Sequence, residues 1–92
     1  MTQLGNGLAE AGHHADELIV GEAELALERR MGASEEHMLV TQGNLAMTYR
    51  NLGRFEEANR MERAVYSGYL KLNGEQDSYT LQAANNYAGS LL

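Results

Sequence analysis

A short template recurs along this chain, and it restricts the available folds more than any other feature. It pairs a large residue with a small one and sets a second large residue three further on, as Leu4-Gly5-x-x-Leu8, Leu45-Ala46-x-x-Tyr49 and Tyr87-Ala88-x-x-Leu91. In the first two copies a glycine follows four residues later (Gly12, Gly53), and a ring two beyond that (His14, Phe55). A displacement of 42 residues also lays Gly32 on Gly74, Leu39 on Leu81, Asn44 on Asn86 and Ala46 on Ala88. The small residue admits a neighbouring helix, the large ones fill the gap, and the glycine turns the chain into the next helix. A unit of this kind cannot bury its apolar face alone, so the pattern predicts helical hairpins stacked as an α-solenoid.

Local signals divide the chain accordingly. Proline is absent, and Ala, Leu, Glu and Met are abundant, with Gly and Asn as punctuation. Ser34 stands where an N-cap is needed before "EEHMLV", whose two glutamates fall in a first turn that favours negative charge. Gly32, Gly53 and Gly74 are placed to end helices. The expected elements are five: a stub over 2–11, then 14–31, 35–52, 55–72 and a last helix from 78. Apolar stripes are expected at Ala15, Leu18, Ile19, Ala23, Ala26 and Leu27 in the second, and at Phe55, Ala58, Met61, Val65, Tyr69 and Leu72 in the fourth. At 92 residues the chain forms one all-α domain.

The residues Leu45-Ala46, Tyr49, Gly53, Phe55 and Ala58 resemble the tetratricopeptide repeat. The 42-residue period, with "LNGEQDSYTLQAANNYA", is similar to the longer variant found in kinesin light chains. The resemblance divides the single domain into a partial repeat (1–31), a full repeat (32–73) and a second partial repeat (74–92). It implies a concave groove that holds an extended peptide or a partner protein. The positions matching the groove wall are Val40, Gly43 or Asn44, Met47, Arg50 and Asn51 on one helix, and Gln82, Asn85, Asn86 and Gly89 on another. Asparagine can donate to and accept from a peptide backbone at once, and Arg50 with nearby Arg54 would favour an acidic partner. Asn44 and Asn86 have a second reading, as bonds that hold the repeat together. The rival function is a structural or assembly segment that stacks on further repeats or on itself.

Charge and chemistry narrow the classes. The net charge of −6 resides in residues 1–48, while residues 49–92 carry five charges of each sign. This speaks against nucleic acid and against an anionic membrane surface. No apolar run is long enough to span a bilayer. The lack of cysteine excludes disulfides and thiolate metal sites and fits a cytoplasmic address. No enzyme motif is present. His13 and His14 point about 100° apart on a helix, so the cluster with Glu17 is not expected to hold metal. "GNGLAEAG" lacks the strand and lysine of a phosphate loop. Glu22, Glu24 and Glu28 read as a solvated face, and no cofactor is expected. Lastly, Tyr87, Leu91 and Leu92 read as an open apolar edge through which the chain would form a homo-oligomer.

Overall fold

The computed structural model describes residues 3–91, with side chains from 12 to 89. It contains four α-helices: α1 (Gln3–Met31), α2 (Glu35–Asn51), α3 (Phe55–Asn73) and α4 (Ser78–Leu91). The expected break near Gly12 does not occur, and α1 runs through it as one helix. A helical glycine costs only about 1 kcal/mol relative to alanine, which is too little to end a helix by itself. Ending one takes left-handed backbone and partners for the last carbonyls. Among the described residues a positive φ is found only at Gly32 (71°), Gly53 (79°) and Gly74 (86°).

Those three turns stand 21 residues apart, so the 42-residue period is twice the spacing of successive turns. At the first two, the chain closes by the same bonds: the Ala33 N–H donates to the Glu28 carbonyl and the Arg54 N–H to that of Tyr49, each at 2.9 Å. The starts of α2 and α4 are capped from side chains, whereas α3 begins after Arg54 without such a cap. Ser34 Oγ accepts the His37 N–H at 3.1 Å, and Asp77 Oδ2 accepts that of Tyr79 at 2.9 Å.

Along their backbones α1 meets α2, α2 meets α3 and α3 meets α4, with no other pairing among the described residues. Two glycines set the approach. A Cβ on Gly21 would lie 2.7 Å from Leu45 Cδ2, and one on Gly68 would lie 2.4 Å from Leu39 Cδ2. Leu45 therefore fills a notch in α1 and Leu39 a notch in α3. Around the first, Leu18, Leu25, Leu45, Tyr49 and Ala58 form one core cluster; around the second, Leu39, Val65, Tyr69 and Ala83 form another.

Two expected stripes are corrected. On α1 the face against α2 is Leu18, Gly21, Leu25 and Glu28, whereas Ala15, Ile19, Ala23, Ala26 and Leu27 are exposed. The helix carries two apolar faces, and α2 covers the one notched by glycine. On α3 the buried positions are Ala58, Glu62, Val65 and Tyr69, while Phe55 and Leu72, at the helix ends, face outward.

Candidate functional site

The outward arc of α2 lies between two clefts. Val40, Asn44, Met47 and Asn51 are exposed along it, and Arg50 is half-buried at one border. Toward α1, the cleft is lined by His13, Asp16, Glu17, Val20 and Glu24 against Asn44 and Thr48. Toward α4, a smaller cleft of about 30 Å³ is lined by Gly43, Ala46, Ala83 and Asn86, with Arg50 and Glu62 among its walls. That is room for one or two waters. Met47, 59% exposed, borders both and forms the ridge between them.

The electrostatics differ from what the arginines suggest in isolation. Arg50 is ion-paired with Glu62, whose side chain is only 6% exposed. The second oxygen of that carboxylate, Oε2, is buried without a hydrogen-bond partner among the described residues. Arg54 donates to Glu57 through Nε and Nη2, each at 2.6 Å, and lies 4.9 Å over the Tyr49 ring. The bond from Arg54 holds the Glu57 carboxyl below its ordinary range and raises the guanidinium of its partner. Both cations expected to attract an acidic side chain are thus already matched. On the α1 side no lysine or arginine lines the clefts, and Asp16 and Glu24 form no ion pair among the described residues.

Of the expected wall positions on α4, Asn86 borders the smaller cleft, while Gln82 and Asn85 are exposed on the same helix outside it. The Asn44 and Asn86 side chains make no hydrogen bond within the described residues. Only the Asn44 carbonyl is engaged, accepting from Thr48 Oγ1 at 3.1 Å. Both amides are free to serve a ligand. Of the expected open edge, Tyr87 is half-buried and stacks on Tyr66 at 6.4 Å. The Leu91 and Leu92 side chains lie outside the described residues.

Of the three acids expected on a solvated face, Glu22 and Glu28 are engaged instead. Glu22 Oε2 accepts the Tyr49 hydroxyl at 3.0 Å. Burial first, and then this bond, push the Tyr49 phenol above its usual range. Glu28 is buried and accepts Thr41 Oγ1 at 3.0 Å, with His37 Nε2 at 2.6 Å from the same oxygen. Of these three, Glu24 alone is exposed with neither a hydrogen bond nor an ion pair among the described residues. Histidines also converge more than the helical angle implied: His14 Nδ1 lies 2.9 Å and His13 Nε2 3.5 Å from Glu17 Oε1. Rotation about the side-chain bonds overcomes the 100° between their Cβ directions. No group of three His, Cys, Asp or Glu is placed to hold a metal ion among the described residues.

Sequence reasoning missed Glu62 as a member of the cleft, although a signal was present. Ala58, Glu62, Val65 and Tyr69 follow spacings of four, three and four, a tighter core stripe than the one through Met61. Asp16 and Glu24 were legible only as charges. Comparison of the chain with protein-family models, with curated proteins and with solved structures finds no match.

Proposed function

We propose that this chain is a tetratricopeptide-like interaction module that holds an extended peptide on the outward arc of α2, and that it performs no chemistry of its own. One observation carries this reading most: Val40, Asn44, Met47 and Asn51 remain exposed on a helix packed on both flanks, in a row between two clefts. Exposed apolar side chains interleaved with unengaged amides suit a backbone ligand, which needs apolar contact and donor–acceptor pairs together. Pairing of each helix with its chain neighbours and turns at equal intervals support solenoid stacking, the arrangement that the kinesin-light-chain-like resemblance implies. Among the described residues no helix is long and apolar enough to cross a membrane; a cytoplasmic address is part of the proposal and draws on the lack of cysteine.

The test is selection of a phage-displayed random twelve-residue peptide library on the immobilised chain. Peptides recovered on the native chain should lose binding to a Val40→Gln, Met47→Gln variant. Both positions are exposed, so each change should move stability by less than about 0.5 kcal/mol. Equal binding to the variant would sink the groove reading.

A second reading, that the chain is an assembly unit, draws on a different face. Ile19 is 66% exposed, and Leu27 and Met31 continue its line along α1. If this face is a stacking surface, light scattering should show association that a double Ile19→Glu, Leu27→Glu change abolishes.

A further inference from the structure

The signs of the charges around the α2 arc define the partner more sharply than the groove reading on which this inference rests. Arg50 is neutralised by Glu62 and Arg54 by Glu57, so neither presents net positive charge to a ligand. On the other flank Asp16 and Glu24 are exposed and unpaired among the described residues, with Val20 between them. They are eight residues apart on α1, about 12 Å at 1.5 Å per residue. An extended chain covers about the same distance in four residues, and residues four apart point to the same side. Across Met47 the smaller cleft offers no free cation either, because the Arg50 that borders it is bound to Glu62, a carboxylate only 6% exposed whose other oxygen has no donor among the described residues.

We propose that the face of α2 bounded by α1 and α4 binds a basic extended peptide, two cationic side chains spaced four residues apart resting on Asp16 and Glu24. Lysine or arginine stems would lie over Val20 between the two carboxylates, burying methylenes while the charged heads reach the acids. The asparagines then serve the backbone, and the acids select the sequence. An acidic peptide would meet uncompensated like charge on the α1 flank.

The experiment uses two fluorescein-labelled ten-residue peptides in a threonine–serine background, one with lysine and one with glutamate at positions three and seven. Fluorescence anisotropy is followed at 50 and 300 mM salt. The lysine peptide should bind more tightly than the glutamate peptide, weaken at the higher salt, and lose about fivefold to tenfold in affinity on Asp16→Asn with Glu24→Gln. Both residues are exposed, so circular dichroism should be unchanged in that variant. Equal or tighter binding of the glutamate peptide would overturn the proposal. So would lysine-peptide binding that is indifferent to the two substitutions. In either case the groove itself stands or falls separately, because the library-selected peptides report on Val40 and Met47 whatever their charge.

Discussion

Glu28 and Glu62 each join two helices through one carboxylate oxygen and leave the other buried without a partner among the described residues. The Arg50→Ala change would strand Glu62 and lower stability by about 2 kcal/mol, less than for a fully buried pair because Arg50 is partly solvated. Adding Glu62→Gln should restore more than half of that loss in urea unfolding, since the stranded charge is then gone. An Arg50→Glu reversal is a poor probe of ligand charge for the same reason, as it sets a second carboxylate beside Glu62. The tyrosines give a pH signature. Burial raises the phenols of both Tyr49 and Tyr69 above 10.0, assisted by Glu22 at the first and Glu36 at the second. The folded state therefore holds these protons after the unfolded chain has lost them, and stability should be intact below pH 10 and fall as pH rises beyond it. Melting temperatures between pH 8 and 11 should decline, and Tyr49→Phe with Tyr69→Phe should flatten that decline.

At the scale of the helices, the glycines separate three kinds of position. Gly43 lies in α2 with open space where a Cβ would go, so Gly43→Ala should stabilise by about 1 kcal/mol through helix propensity. Gly68 is also helical, but its Cβ would meet Leu39, which is buried and has little room to move. There the packing penalty of about 1–3 kcal/mol should outweigh the propensity gain, and Gly68→Ala should be neutral to destabilising by about 2 kcal/mol. Gly53 is left-handed, and Gly53→Ala should cost about 1–2 kcal/mol. Chemical denaturation should set the stabilised Gly43 variant apart from the other two. The same positions show what the sequence discloses. Ser34, Gly32, Gly53 and Gly74 are legible because a cap or a left-handed turn is made by residues within a few positions of each other. Gly12 misleads, since an identical residue in the same template is merely a tolerated helical glycine. The stripe on α1 is illegible for another reason: two apolar faces are written on one helix, and only the arrival of Leu45 at Gly21 decides which is covered.

For the whole molecule, charge and packing give its two sides different characters. On the α1 flank of the α2 arc stand Asp16, Glu17 and Glu24, whereas Arg29 and Arg60 line a cleft between α1 and α3 on the opposite side. That Val40, Asn44, Met47 and Asn51 share one face of α2 was legible from helical spacing. Its electrostatic character was not, because the partners of Arg50 and Arg54 come from α3, twelve and three residues further on. The proposed function places a peptide on this arc of α2. It is tested most directly by amide chemical-shift mapping of the chain, isotopically labelled, with a library-selected peptide added. Our account predicts shifts concentrated at Val40, Asn44, Met47, Asn51 and Asn86, with Ile19, Leu27 and Met31 on the outer face of α1 unmoved. Shifts confined to that outer face, with the α2 arc silent, would contradict it.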